Sequence, residues 1–332
     1  MISYLIQRLI LIFPVLFVIS FIIFAVIQLP PGDYLTNYIA NLESMGILVT
    51  EAEAASLRLE YGLDKGLMER YSLWMSNILL EGDFGRSFAF HKPVLKVINE
   101  RIILTMGISI ITLLLVYIVA IPIGIFSATH QYSFFDYFWT FVGFIGLSVP
   151  TFLLALIVMW WTYSVFDISI SGLFSQEYVA KPWSIEKLID MCKRVWFPII
   201  IIGMAGTAGL IRVMRGNLLD ELKKQYVVTA RAKGVPENIV LYRYPVRIAV
   251  NPIISTVGWL LPAIVGGEVL VSIVLNLPTI GPVLLESVMK QDMYLAGSIT
   301  LILSTLTVLG TLIADILLVV LDPRIRYESI NS

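Results

Sequence analysis

The stretch "LILIFPVLFVISFIIFAVIQL", from Leu9 to Leu29, contains no charged residue. A helix needs about 20 predominantly apolar residues to cross the hydrocarbon core of a bilayer. A cleaved signal peptide is the alternative, but its apolar core is about 7 to 15 residues long and a small-residue cleavage site follows it. The residues that follow here, "QLPPGD" (Gln28 to Asp33), lack such a site. We therefore interpret Leu9–Leu29 as a retained first transmembrane helix.

The composition extends this interpretation to the whole chain. Of its 332 residues, 58% are hydrophobic and 14% are charged, and the mean hydropathy is +0.86. So few polar residues cannot cover a soluble globule of this length. The sequence therefore predicts a multi-pass membrane protein. The single cysteine, Cys192, cannot form an intrachain disulfide.

Further apolar runs follow the first. Two of them lie between Arg101 and Phe166, separated by the turn "HQYSFFD" (His130 to Asp136). The remaining runs are Val195–Ile211, Ile248–Gly267 and Met293–Ala314. We predict an all-α membrane protein with six transmembrane helices, in which the prolines at 122 and 150 permit kinks.

One uncharged stretch, Val269–Leu285, leaves the number of spans open. It contains "NLPTIGP" (Asn276 to Pro282), which would leave backbone groups unpaired in lipid. We interpret it as the end of the fifth span followed by a re-entrant or extracytoplasmic turn. A seventh span is the alternative.

Charge differs between the two long polar segments. Residues 212–247, which we call the basic loop, contain eight basic and three acidic residues, and this excess marks a cytoplasmic loop. Residues 30–100 contain ten acidic and six basic residues and belong outside. Both termini are then cytoplasmic. The predicted parts are 1–29 with the first helix, 30–100 as an extracytoplasmic helical loop, and 101–332 as the core transmembrane domain.

The extracytoplasmic loop carries helix signals of its own. Thr50 followed by Glu53 forms a capping box, "EAEAASLRLEYGL" can continue as a helix, and Gly62 offers its end. A second stretch, Leu67–Leu80, shows an apolar face with helical period. We expect a small helical cap on the outside of the membrane.

Motifs of catalysis and nucleotide binding are missing from the sequence. It has no GxxxxGK[ST] phosphate loop, no HExxH and no GxSxG. The two histidines, His91 and His130, fall on opposite sides of the membrane in the predicted topology. The kinase-like triplet Asp83–Gly85 lacks its partner motifs. We therefore expect no catalytic residue, cofactor or metal, and no nucleic-acid partner.

Two acids lie in or near apolar surroundings, Glu268 and Asp315. A charge at the bilayer centre costs about 2.5 to 3.5 kcal/mol on insertion scales, so each acid needs a reason. A proton or substrate relay is one interpretation. In the other, Asp315 pairs near the cytoplasmic interface and Glu268 faces a helix contact or a wet lumen.

The basic loop has the signature of two short helices. "QYVVTARAKG" (Gln225 to Gly234) has helix-compatible spacing and ends at a glycine, and Pro236 suits the first position of the next helix. The small residues Ala230 and Ala232 allow another backbone to approach, and the basic side chains beside them suit an acidic partner. The pattern predicts a docking surface. An ordinary positively charged inside loop explains the charges but not the order Ala-x-Ala-x-Gly-x-Pro.

The chain resembles the permease subunits of binding-protein-dependent ABC importers, in particular the first permease of the oligopeptide and dipeptide branch. The matching stretches are "YVVTARAKGVPENIVLYRYPVRIAVNPIIS", the form of the EAA loop typical of that branch, together with "YLIQRL", "GDFGRSF", "IPIGIFSA", "GLSVPTFLLAL" and "LDPRIR". Their order and spacing span more than 300 residues. The resemblance implies a six-helix type I importer permease in a prokaryotic inner membrane.

The resemblance also implies roles and partners. The coupling helix that docks into a cytoplasmic ATPase would be formed by Thr229, Ala230, Arg231, Ala232, Lys233 and Gly234. The implied complex holds a second homologous permease, two ATPase subunits and an extracytoplasmic solute-binding protein. Its substrates would be peptides or related solutes such as oligosaccharides.

The sequence departs from the family pattern at several positions. Gln225 and Val228 stand where acids are usual. Ser272 replaces a glutamate near the outer end of span five, and Glu268, one turn earlier, is a candidate to take its place in a gate or pathway. A self-contained transporter driven by an ion gradient, using Glu268 and Asp315, is the alternative function.

Overall fold

The computed structural model describes residues 2–29, 35, 39, 50, 52–53, 56 and 65–321. Within these ranges, the backbone alone is described for 2–9, 176, 259, 261–262, 265–268 and 317–321. Every named element in the described ranges is a helix, and an isolated antiparallel bridge joins Arg86 and Pro93. The all-α prediction holds over this part of the chain.

The described residues form a series of helices, and from residue 196 onward at most five residues separate one helix from the next. Up to residue 166 they are α1 (Ile2–Ile27), α2 (Leu67–Ser76, continued by a π-helical segment, Asn77–Glu81), α3 (Val94–Thr129), α4 (Phe134–Ser148) and α5 (Thr151–Phe166). From residue 176 onward they are α6 (Gln176–Val179), α7 (Ile185–Arg194), α8 (Trp196–Leu222), α9 (Gln225–Ala232), α10 (Glu237–Arg243), α11 (Pro245–Ala249), α12 (Asn251–Ser255), α13 (Val257–Val274), α14 (Ile280–Met289) and α15 (Met293–Leu321).

Several of these helices are long and apolar enough to cross a membrane. In the described residues they are Ile10–Ile27, Val94–Thr129, Ile185–Leu222 and Met293–Ile316. Each contains most or all of one predicted span. With 36 residues, α3 is about 54 Å long at 1.5 Å per residue, well beyond the roughly 30 Å of a bilayer core.

The predicted third span is divided into α4 and α5, which are bent by 109° at the break between them. Pro150 lies in that break, and Val149 before it has extended dihedral angles (φ −93°, ψ 125°). A proline disfavours helical angles in the residue before it, which accounts for the end of α4. The kink that Pro150 permits is thus a sharp elbow, whereas Pro122 lies inside the uninterrupted α3.

The predicted fifth span, Ile248–Gly267, is distributed over α11, α12 and α13. The connecting residues Val250 and Thr256 keep near-helical dihedral angles. The last of these helices continues past Gly267 to Val274, where a turn leads to α14. Helix followed by turn is the order predicted for 269–285, but the last residues of this stretch, from Ile280, begin α14, a helix that was not predicted.

The chain divides into two compact units. One comprises Ile2–Ile103 and Thr279–Leu306, and the other comprises Leu104–Pro278 and the chain from Thr307 onward. In the second unit α8 packs against α4, α5, α11 and α13. Its core includes the fully buried Val116, Met214 and Leu218.

Close helix packing in this second unit depends on a glycine. A Cβ atom built at Gly124 of α3 would lie 2.6 Å from Cβ of Met214 on α8. Real Cβ atoms do not approach so closely, so glycine alone fits there without a shift of the helices. Small residues at helix contacts are the usual means of packing in membranes.

The first unit is held together by an aromatic cluster between α1 and α2. The ring of Phe24 stacks on Trp74 at 5.3 Å and meets Tyr71 edge-on at 5.5 Å. The Tyr71 hydroxyl shares a 2.8 Å hydrogen bond with Ser20. The predicted helix at Leu67–Leu80 is therefore confirmed as α2 with its π-helical extension, and its apolar face packs on α1.

The "GDFGRS" segment of the same unit is a structural connector. The Ser87 hydroxyl and the Ala89 amide donate to one carboxylate oxygen of Asp292, at 2.6 and 2.9 Å. The other oxygen of Asp292 accepts from the amide of Leu295 in the first turn of α15. Asp292 is fully buried, and burial raises its pKa above the ordinary range of an aspartate against the opposing effect of these hydrogen bonds.

The capping box at Thr50 is confirmed. The Thr50 amide donates to the Glu53 carboxylate at 2.9 Å, and the Glu53 amide donates to the Thr50 hydroxyl at 3.3 Å. The Thr50 hydroxyl also donates to the Glu53 carboxylate at 2.9 Å, and the bonds from the Thr50 amide and hydroxyl lower the pKa of Glu53. The predicted helix end at Gly62 lies outside the described residues.

Candidate functional site

The first helix of the basic loop, α9, has the predicted position. Lys224 precedes it in an extended conformation, and the helix covers Gln225–Ala232. The turn after the helix contains Gly234, whose φ of +72° lies in the left-handed region that favours glycine. The amide of Gly234 donates to the carbonyl of Arg231 at 2.9 Å, and that of Val235 donates to the carbonyl of Ala230 at 3.3 Å. A Cβ at this position would meet no atom within 4 Å. Glycine is therefore required by the backbone conformation of the turn and not by a lack of space.

An ion pair closes the turn between α9 and α10. Arg231 donates through Nη2 to Glu237 at 2.6 Å and through Nε at 3.1 Å. This hydrogen-bonded contact lowers the pKa of Glu237. Both side chains are exposed, so the pair contributes little to the free energy of unfolding. The helix α10 begins at Glu237, one residue after Pro236, where the sequence suggested its start.

The basic loop has a small apolar core of its own. Val227, Ala230 and Val240 are buried against one another, with Tyr226, Val235 and Tyr244 packed around them. Ala230 is 6% exposed and supports the loop from within. The remaining residues of the 229–234 motif, Ala232 included, are exposed.

The outer surface of the loop is apolar and basic. Val228, Ile239 and Tyr242 are 50%, 47% and 60% exposed. The exposed basic residues beside them are Lys224, Arg231, Lys233 and Arg243. Exposed aromatic and aliphatic side chains next to positive charges are suited to bind a protein surface with an apolar groove and acidic edges.

A hydrogen bond ties the basic loop to the preceding helix. The Tyr226 hydroxyl donates to the carboxylate of Glu221 in the last turn of α8. Burial, followed by the hydrogen bond to this carboxylate, raises the pKa of Tyr226, so the phenol stays protonated at physiological pH. The start of α9 is thereby fixed to the end of α8.

The sequence did not predict an ion pair in which a buried Asp136 carboxylate meets a partly exposed Arg215 guanidinium. Asp136, in the first turn of α4, accepts from Nε of Arg215 at 2.9 Å and from Nη2 at 3.0 Å. Its carboxylate also accepts from the amide of Tyr132 at 3.0 Å, and the residue is 3% exposed. From the sequence, Asp136 was interpreted as the last residue of a turn, and Arg215 as one of the eight basic residues of the basic loop. A charge next to an apolar run was the available signal, but it did not identify the partner.

The predicted gate residues lie one turn apart on α13. Ser272 is fully buried, and its carbonyl accepts from the amide of Leu277 at 2.7 Å where the helix ends. The side chain of Glu268 lies outside the described residues. Both residues therefore lie on one helix, and the Ser272 hydroxyl is enclosed.

Comparison with known proteins places the whole chain in one group. A family model for the "binding-protein-dependent transport system inner membrane component" matches residues 120–327, and the model for the N-terminal part of such membrane components matches residues 1–110. The oligopeptide transport system permease protein AppB of Bacillus subtilis is 33% identical over 98% of this chain and 100% of its own length. The dipeptide transport system permease protein DppB of Alkalihalophilus pseudofirmus is 30% identical over 98% of this chain and 100% of its own.

Proposed function

This chain belongs to the family of inner-membrane components of binding-protein-dependent transport systems, and we propose that it lines the path by which peptides enter the cell. It does so with a second homologous permease, fed by an extracytoplasmic solute-binding protein and driven by two cytoplasmic ATPase subunits. Related solutes such as oligosaccharides are a further substrate class. Peptides are favoured because the similar proteins AppB and DppB are named as oligopeptide and dipeptide permeases.

The observation that carries the coupling role is the build of the basic loop. A short helix, Gln225–Ala232, stands on its own apolar core and ends at a left-handed glycine. Its exposed face combines apolar side chains with positive charge. We assign Thr229, Ala230, Arg231, Ala232, Lys233 and Gly234 to the ATPase-docking coupling helix. Five of these residues face outward and Ala230 supports them from below.

The proposed topology has six spans with both termini in the cytoplasm. The spans are α1, α3, the bent pair α4–α5, α8, α13 and α15. Residues 30–100 then form the extracytoplasmic loop, 101–332 form the core permease domain, and the basic loop lies inside. The positive charge of 212–247 supports this orientation.

We further propose that Glu268 contributes to the gate or pathway near the outer end of α13. A charged group in a membrane helix is costly and commonly marks a pathway for ions or substrates. Ser272, the other candidate on this helix, is fully buried. Unchanged uptake by a Glu268→Gln variant would contradict this role.

The first experiment is purification of the chain from its native membrane, identification of the proteins that accompany it, and uptake assays in proteoliposomes. We expect a second permease and ATPase subunits, with uptake that requires ATP. Uptake by the chain alone, driven by an ion gradient, would favour a self-contained secondary transporter.

A pair of glycine variants tests the docking role directly. Gly234→Val forces a β-branched residue into the left-handed region, which costs about 1 to 2 kcal/mol and displaces the end of α9. We expect a folded permease that fails to couple ATP hydrolysis to uptake. Gly216→Ala is the matched control, because Gly216 lies within α8 where an added Cβ meets no atom within 4 Å. Full ATP-driven uptake by Gly234→Val would contradict the docking role.

A further inference from the structure

The ion pair between Asp136 and Arg215 joins α4 to α8, two helices that also pack against each other. Both guanidinium nitrogens that face Asp136 donate to it, one to each carboxylate oxygen. Such a two-point contact fixes the orientation of the groups as well as their distance. A third donor, the amide of Tyr132, holds the carboxylate from the side of its own helix. The start of α4 is thus fixed against α8 in one geometry.

Stability alone is a weak reason for such a pair. Desolvation of the buried Asp136 carboxylate offsets part of its attraction to Arg215, and partly exposed ion pairs add little to stability. The two-point contact instead defines the geometry of the elements it joins. Here those elements are α4, which begins the 109° elbow with α5, and α8, which leads into the basic loop.

A continuous set of contacts leads from α9 to this pair. Tyr226 of α9 bonds Glu221 at the end of α8. Arg215 lies on the same uninterrupted helix, about 9 Å earlier along its axis at 1.5 Å per residue. A displacement of α9 therefore moves α8 as a rigid rod, and the ion pair passes that displacement to α4.

We propose that Asp136 and Arg215 are positioning residues for coupling, which make the α4–α5 elbow follow the basic loop when the ATPase subunits move. The inference rests on the proposed function. Neither residue contacts a transported solute in this role. Their effect is on the number of solute molecules imported for each ATP hydrolysed.

The test uses the complete transporter in proteoliposomes, with uptake and ATP hydrolysis measured on the same samples. In Asp136→Asn, Arg215 keeps its charge but loses its carboxylate partner. We expect normal capture of the ATPase subunits, hydrolysis within about twofold of the wild type, and uptake per ATP reduced about tenfold, within the usual range of coupling between sites. The reversed pair, Asp136→Arg with Arg215→Asp, restores uptake per ATP at least in part.

Arg215→Lys provides a second variant if Asp136→Asn does not accumulate in the membrane. It keeps the charge and loses the two-point contact, so uptake per ATP falls while assembly is retained. Glu286→Gln is the matched control, because it breaks an exposed ion pair with Lys290 of 2.7 Å and leaves coupling unchanged.

Two results would overturn the proposal. One is unchanged uptake per ATP in Asp136→Asn and Arg215→Lys. The other is a parallel loss of uptake and hydrolysis, which indicates a purely structural pair. Failure of the proposed function is recognised separately, because the wild-type complex itself would then show no ATP-driven uptake.

Discussion

Two neighbouring alanines of the coupling motif have opposite surroundings. Ala230 is buried in the core of the basic loop, and Ala232 is exposed. The pattern of small residues in the sequence did not predict which of the two alanines is buried. The difference arises because Val227 and Val240 approach from either side of Ala230, and the sequence gives no information on that tertiary contact.

Bulky substitutions at the two alanines separate docking from folding. We expect Ala232→Trp to leave thermal unfolding in detergent unchanged and to abolish capture of the ATPase subunits, because the side chain is exposed on the proposed docking surface. Ala230→Trp overfills a packed site, which typically costs about 1 to 3 kcal/mol, and lowers the unfolding temperature. Equal thermal stability of the two variants would contradict the buried position of Ala230.

Asp292 gives the first unit a pH dependence of definite sign. Burial raises its pKa, so the folded protein holds this proton more tightly than the unfolded chain does. Its contribution to stability is fully present below the ordinary aspartate pKa and is lost as the pH rises through the raised value. Asp292→Asn does not titrate. We therefore expect the unfolding temperature of the wild type to fall more steeply than that of the variant as the pH rises above the ordinary aspartate pKa. The wild type loses about 1.4 kcal/mol of stability for each unit by which folding raises the pKa.

The measurement is a thermal melt of both proteins at each pH, with Asp83→Asn as the control. Asp83 lies in the "GDFGRS" segment that contacts Asp292, but its carboxylate accepts from the amide of Gly85 in an exposed turn. Parallel curves for the wild type and Asp292→Asn would show that Asp292 does not titrate as its burial requires.

At the scale of elements, hydropathy predicted the long helices and local chemistry predicted their ends. The first span, α2 and α9 were all predicted near their observed positions. Periodicity and capping depend on residues a few positions apart, so a sequence displays them directly. The division of the fifth predicted span into α11, α12 and α13 was not predicted, because its shallow breaks leave the apolar run uninterrupted.

The 109° elbow between α4 and α5 shows the same limit. Pro150 marked the position of a kink, but a proline in a membrane helix is compatible with a mild bend as well as a full break. The choice depends on the packing of α4 against α8 and of α5 against α13, which are distant in sequence. The angle therefore follows from tertiary structure.

Close contact between α3 and α8 predicts a difference between two glycines of one helix. Gly124→Ala places a methyl group 2.6 Å from Met214, so the helices must separate, at a cost of about 1 to 3 kcal/mol. Gly107→Ala meets no atom within 4 Å and stabilises α3 by about 0.5 to 1 kcal/mol. Thermal unfolding in detergent checks both values. A Gly124→Ala variant as stable as Gly107→Ala would contradict the packing of α3 on α8.

At the scale of the whole molecule, the sole cysteine tests the topology without any engineered site. Cys192 is exposed, and it lies in the connection between the third and fourth proposed spans. The proposed orientation places this connection outside. We expect a membrane-impermeant maleimide to label the protein in intact spheroplasts, and Cys192→Ser to abolish the signal. Labelling that requires permeabilised membranes would invert the topology.

The small apolar core of the basic loop has a consequence for how such transporters diversify. Because Val227, Ala230 and Val240 hold the loop in shape among themselves, its exposed positions can vary without altering the membrane helices. Exchange of residues 225–243 between related permeases should therefore transplant the preference for a particular ATPase along with the segment. The preference for an ATPase partner and the preference for a transported solute can then evolve independently within one polypeptide.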